Sequence, residues 1–136
     1  MRAWAYWIPA AVTMAGIAFL SHQSDLPDVG VTPPDWLLHG IEFGVLAGAC
    51  YYGASHGFDR RYRSANAAIL ALSIAIIYGA LDELHQSLVP GRDVSFSDWI
   101  ADSVGALLVV SALVLIWSRS AGQGSSGRRP PEAEER

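Results

Sequence analysis

The stretch that decides the fold runs from Ala67 to Trp117. It reads "AAILALSIAIIYGAL" (Ala67–Leu81), "DELHQSLVPGR" (Asp82–Arg92), "DVSFSD" (Asp93–Asp98) and "WIADSVGALLVVSALVLIW" (Trp99–Trp117). Two apolar runs flank an interruption that holds adjacent carboxylates, a histidine, a glutamine and an arginine. Neither run alternates apolar with polar residues, and both are too long for strands, so helices are expected. Crossing a hydrocarbon core about 30 Å thick takes roughly 20 apolar residues in helix. The fourth run meets that length; the third falls slightly short.

Working outward, two more runs appear, from Trp4 to Leu20 and from Trp36 to about Gly53. The expectation is an all-α protein: a four-helix transmembrane bundle over residues 1–117, with helices at about 4–20, 36–53, 66–84 and 98–117. A soluble bundle of buried helices is the competing reading. Four such runs in 136 residues, with 51% hydrophobic and only 16% charged residues, leave too little polar sequence to coat a soluble surface. Trp4, Trp7, Trp36, Tyr51, Tyr52, Trp99 and Trp117 lie near run ends, as in an aromatic belt. The first run is followed by "FLSHQS", which has no small-x-small cleavage pattern, so it reads as a retained helix rather than a signal peptide. Pro9 is tolerated within a membrane helix, where it would kink the axis. The tail from Ser118, rich in Gly, Ser, Pro, Arg and Glu, is expected to be disordered and cytoplasmic. A single cysteine, Cys50, excludes an intramolecular disulfide.

The chain has nine arginines and no lysine. Arg60, Arg61 and Arg63 lie between the second and third runs, Arg2 at the start, and Arg119, Arg128, Arg129 and Arg136 in the tail. The positive-inside rule then puts both termini and the middle loop in the cytoplasm. The expected location is the bacterial cytoplasmic (inner) membrane, multi-pass, with a polar site on the extracytoplasmic side. The acids are distributed the other way. Asp25, Asp28, Asp35, Glu42, Asp82, Glu83, Asp93, Asp98 and Asp102 fall in the outer loops or adjoining helix ends, opposite one arginine, Arg92. A net charge of -4 gives no nucleic-acid signal.

Asp25, Asp28 and Asp93 read as a solvated rim. Glu42 and Asp102 sit too far into their runs for that. An ionisable group at membrane depth costs roughly 2.5–3.5 kcal/mol on insertion scales, so it faces the bundle interior and takes partners. Helical spacing groups the candidates: His39 with Glu42, Asp98 with Asp102, and Asp82 with His85 and Gln86, Glu83 lying about 100° round from Asp82. The "VPGR" turn is expected to swing Arg92 over the site, where its fork suits a carboxylate or phosphate.

Taken together, "FLSHQSDLP" (Phe19–Pro27), "HGIEFGVLAG" (His39–Gly48) and "DELHQSLVPGRDVSFSDWIADSVGALL" (Asp82–Leu108) resemble the VanZ-like family of small bacterial membrane proteins, over roughly residues 14–117. The resemblance implies Ser21, Gln23, Ser24, His39, Glu42, Asp82, Glu83, Gln86, Arg92, Asp98 and Asp102 as motif positions. Two positions depart from the family pattern: Trp36 stands where a lysine is common, and Asp102 where asparagine is common. Both make this site more acidic. The founding members are linked to glycopeptide (teicoplanin) resistance, so the resemblance implies a cell-envelope role.

Two main functions compete. One is a binding or accessory protein, in contact with the lipid bilayer and with a lipid-linked envelope precursor or glycopeptide. In it, Ser21, Gln23, Ser24, Glu83, Gln86, Arg92, Asp98 and Asp102 contact the ligand. Small residues such as Gly40, Gly44, Gly48, Gly79 and Gly105 allow the close packing this needs. The other is a membrane-embedded enzyme acting on a lipid-linked or phosphate-bearing substrate, with His39, Glu42, Asp82, His85 and Arg92 as catalytic candidates. A divalent cation is the one cofactor the residues suggest, with Glu42, Asp82, Asp98 and Asp102 as candidate ligands, although their spacing fits no standard metal motif. Transport is the third option; four short helices in one copy make a poor pathway.

Overall fold

The structure, a computed structural model, describes residues 2–23, 33–57 and 65–123, without the side chains of 56–57 and 120–123. Among these residues there is no strand. A 3-10 turn, Ala3–Trp7, leads into helix α1, Ile8–Ser21. Helix α2 follows at Asp35–Gly57, α3 at Ala65–Gln86 and α4 at Phe96–Gln123.

Pro9 does not kink a helix interior. It sits in the first turn of α1, where its missing N–H would have had no helical partner in any case. Just before it, the 3-10 turn passes into α1. At the other end, α4 runs through Gln123, past the start of the tail expected at Ser118. Ser118 and Arg119 are as competent in a helix as the apolar residues before them; only their polarity marks them as outside the lipid. The remainder of that tail, the loop with Arg60, Arg61 and Arg63, and Asp25 and Asp28 lie outside the described residues.

The stretches Ala3–Ser21, Ala65–Gln86 and Phe96–Arg119 are each long and apolar enough to cross a membrane. Helix α2, with 23 residues, spans about 34 Å at 1.5 Å per residue. Its apolar character is diluted by Asp35, His39, Glu42 and its glycines. It is the central helix, packed against the 3-10 turn, α1, α3 and α4. Phe43, Leu46, Ala47, Cys50, Tyr51 and Ala54 are all buried there.

The helices pack along faces that repeat about every four residues. On α3 the buried face is Ala67, Ala71, Ala75, Gly79, then Asp82, Glu83 and Gln86. On α4 it is Asp98, Asp102, Ala106 and Val110. Along each of these faces, residues are small and apolar for most of the length and ionisable at one end. Outside, Val12, Phe19, Ile41, Val45, Ile69, Ile77, Leu107 and Leu108 are exposed. A soluble helix bundle would turn such residues inward; a lipid-facing one has no reason to.

With lipid outside, apolar burial does not drive helix association, so close backbone contact must. The closest approach is between α2 and α4. A Cβ on Gly105 would overlap the Gly40 carbonyl, and one on Gly40 would lie 3.3 Å from the Ala101 carbonyl oxygen. Only glycine at 105 permits this crossing.

Candidate functional site: the polar end of the bundle

Successive helices alternate in direction, so the C-terminal ends of α1 and α3 meet the N-terminal ends of α2 and α4. That meeting point holds Ser21, His39, Asp82, Glu83, Gln86, Asp98 and Asp102, all buried. Seven of the twelve candidates from the sequence gather here, in two separate groups.

The first group joins α1 to α3. The Ser21 hydroxyl reaches Asp82 at 2.7 Å from Oδ1 and 2.9 Å from Oδ2. Gln86 Nε2, one turn along α3, donates to Asp82 Oδ2 at 2.9 Å. Both Asp82 oxygens therefore have partners. Deeper in the same interface, the Tyr78 hydroxyl donates to the Met14 carbonyl at 2.8 Å.

The second group joins α2, α3 and α4. His39 Nδ1 lies 3.1 Å from Asp102 Oδ1, the one ion pair among the described residues. Glu83 Oε2 accepts the Ser95 backbone N–H at 2.8 Å, just before α4 begins. Ser95 Oγ in turn accepts the Asp98 N–H at 3.3 Å and so caps α4. Asp102 Oδ2 and Glu83 Oε1 are buried without any partner. Gly79 makes room here, since a Cβ on it would stand 2.9 Å from Asp102 Oδ2. A cavity of about 300 Å³ is lined by Glu83, Ser95, Phe96, Trp99, Ala80 and Val94. Glu42 is half-buried, one turn further into α2, and makes no hydrogen bond among the described residues. It is close enough to feel the charges of His39, Asp82 and Asp102.

His85 lies on the α1 side of α3, as Asp82 and Gln86 do, and packs on His22 at the end of α1, ring centroids 5.5 Å apart. Glu83, about 100° round from Asp82, faces α2 and α4 instead. Helix α3 packs against α1, α2 and α4, so residues about 100° apart each find a buried interface. One sequence expectation changes. Arg92 does not reach over His39 or pair with a carboxylate. The turn forms, with Arg92 N–H bonded to the Val89 carbonyl at 3.2 Å and Gly91 at φ 84°, the position that demands glycine in a type II turn. It delivers the guanidinium to the Leu20 carbonyl at 3.2 Å, at the C-terminal end of α1. A cation is favoured there by the helix dipole. Gln23 stays beside α1, with Nε2 3.5 Å from the Phe19 carbonyl, and Ser24 lies outside the described residues.

Sequence reasoning missed Ser95, Tyr78 and Trp99. Trp99, read as a belt residue, donates from Nε1 to the Ile76 carbonyl at 3.1 Å and ties α4 to α3. Ser95 carries a readable signal: "SFSD" fits the S-x-x-D helix-start pattern.

The model of the VanZ/LLP1 family matches residues 30–117, about two thirds of the chain, beginning after α1. No curated protein and no solved structure matches.

Proposed function

This chain belongs to the VanZ/LLP1 family and is a membrane protein, and from that premise we propose that it is a binding or accessory protein of the bacterial cell envelope. Its four helices cross the cytoplasmic membrane with both termini inside, and the polar end faces outward. There it receives the polar headgroup of a lipid-linked envelope precursor, or a glycopeptide such as teicoplanin. The observation that supports binding over catalysis is how the polar groups are spent. Asp82 is tied to Ser21 and Gln86, and His39 to Asp102. A general base needs a side chain free to meet substrate, whereas a recognition surface needs a firm scaffold.

A second reading, an enzyme acting on a phosphate-bearing lipid, draws on the unpartnered oxygens of Asp102 and Glu83 beside His39.

Purified protein in lipid nanodiscs separates these. Titration with a polyprenyl-pyrophosphate-linked wall precursor, and separately with teicoplanin, should show saturable binding of one of them. Glu42→Gln should weaken it by about tenfold or more, the loss of one charged contact. Release of inorganic phosphate or a cleaved headgroup would favour the enzyme. No binding and no turnover would refute both. Orientation has its own test. In a Cys50→Ala background, a cysteine replacing Ser87 should react with an impermeant reagent added outside, and one replacing Ser64 should not. The opposite pattern inverts the topology.

A further inference from the structure

We propose that His39, Glu83 and Asp102 form a buried binding site for one divalent transition-metal ion, Zn²⁺ or Mn²⁺. One ligand atom from each residue lies within 4.8 Å of the other two, and all three residues are buried. They come from α2, α3 and α4, so the site sits where three helices converge.

Four observations support an ion here rather than an ordinary acidic cluster. First, Asp102 and Glu83 each give one oxygen to a protein partner and leave the other buried with none. Asp102 is 1% exposed and Glu83 7%. A buried polar atom without a partner costs about 1–3 kcal/mol, more when charged. Second, in the metal-bound form, with His39 deprotonated, two carboxylates and an imidazole carry a charge of about −2, which a divalent ion cancels. Third, the distance from His39 Nδ1 to Asp102 Oδ1, 3.1 Å, is close to the edge between two ligands of one tetrahedral ion, roughly 3.3 Å when each bond is about 2.0 Å. Glu83 completes the third position by a shift of its side chain, with ligand bonds of about 2.0–2.2 Å. Fourth, a cavity of about 300 Å³ lined by Glu83 and Ser95 opens beside one of the three ligands.

One imidazole with two carboxylates is a mixed nitrogen and oxygen set. It suits Zn²⁺ or Mn²⁺ better than Ca²⁺ or Mg²⁺, which take oxygen ligands. The ion displaces whatever proton His39 Nδ1 carries, so binding releases a proton to solvent. Three protein ligands leave a fourth position for water or for an oxygen of a bound headgroup. This site belongs to the polar end invoked for the proposed function and rests on that end alone, not on its orientation or its envelope ligand.

The test uses full-length protein with any histidine tag removed, in detergent, stripped with a mild chelator. Zn²⁺ and Mn²⁺ are titrated separately by calorimetry, and metal content is measured after dialysis. One equivalent of one ion per chain, with a raised unfolding temperature and proton release, is expected. Glu83→Gln and Asp102→Asn should each weaken binding by more than about 100-fold, beyond the 10- to 100-fold typical of changes outside the ligand shell. Asp35 and Asp98 form another trio with His39 nearer the surface. Asp35→Asn should leave binding unchanged. No stoichiometric ion in the wild type overturns the proposal, even if a variant fails to fold. So does loss of binding in Asp35→Asn with retention in Glu83→Gln, which moves the ion to the outer trio. Precursor binding measured on the same metal-free protein separates failure of the ion site from failure of the proposed function.

Discussion

Asp82 and Glu83 are neighbours in sequence and both buried, yet they face different parts of the molecule and end in different states. Asp82 turns to α1, where Ser21 and Gln86 satisfy both its oxygens. Glu83 turns to α2 and α4, where it keeps an oxygen unpaired beside His39 and the equally under-satisfied Asp102. The two interfaces are also held differently. The α1–α3 contact relies on hydrogen bonds, from Ser21 to Asp82 and from Tyr78 to Met14. The α2–α4 contact relies on glycine-mediated closeness around Gly40 and Gly105. A complete hydrogen-bond network is a structural latch. An incomplete one, held by an independent seam, is free to take a ligand.

The largest effect should come from breaking the seam. In Gly105→Ala the new methyl overlaps the Gly40 carbonyl, so α2 and α4 must separate. A cost of about 3 kcal/mol is expected, the upper end for overpacking, and urea unfolding in detergent would measure it. His39 and Asp102 would part as well, so ion binding should fall with stability. The next effect breaks the latch. Asp82→Asn replaces an acceptor-only group with one that presents donors to Ser21 and Gln86, and should cost about 1–2 kcal/mol by the same measurement. Ser21→Ala removes one donor and should cost about 1 kcal/mol. Tyr78→Phe removes a single interhelical bond and should cost about 0.6 kcal/mol, the average for such bonds in a membrane. Glu83→Gln keeps an oxygen for the Ser95 N–H and removes a poorly compensated charge, so stability should change by less than about 0.5 kcal/mol.

Much of this contrast could be read in the sequence, though not the sides on which it falls. Helix number and type followed from the apolar runs, which are too long for strands and do not alternate, while the buried face of Ala67, Ala71, Ala75 and Gly79 came from the structure. The candidate residues followed from a single rule, that an ionisable group inside an apolar run needs a reason. Pairing was less legible. The angular offset of Glu83 from Asp82 was correct in the helix frame, but it does not tell which neighbouring helix each residue meets. His85 was grouped with Asp82 by spacing and does lie on the same side of α3, but its partner there, His22 at the end of α1, could not be read from local sequence. Arg92 shows a similar limit. The Pro90–Gly91 turn was readable because Gly91 needs a positive φ, while the destination of the guanidinium depended on where α1 ends. Trp99 was assigned to the belt by its position near a run end; the carbonyl it bonds belongs to another helix and leaves no trace in local sequence.

The central claim is that Asp82 holds the bundle together while Glu83 serves the site. Thermal unfolding of Asp82→Asn and Glu83→Gln, side by side in one detergent without added metal, tests it most directly. Asp82→Asn should lower the unfolding temperature by several degrees, and Glu83→Gln should match the wild type or exceed it. If Glu83→Gln proves the less stable of the two, the assignment of latch and site is wrong.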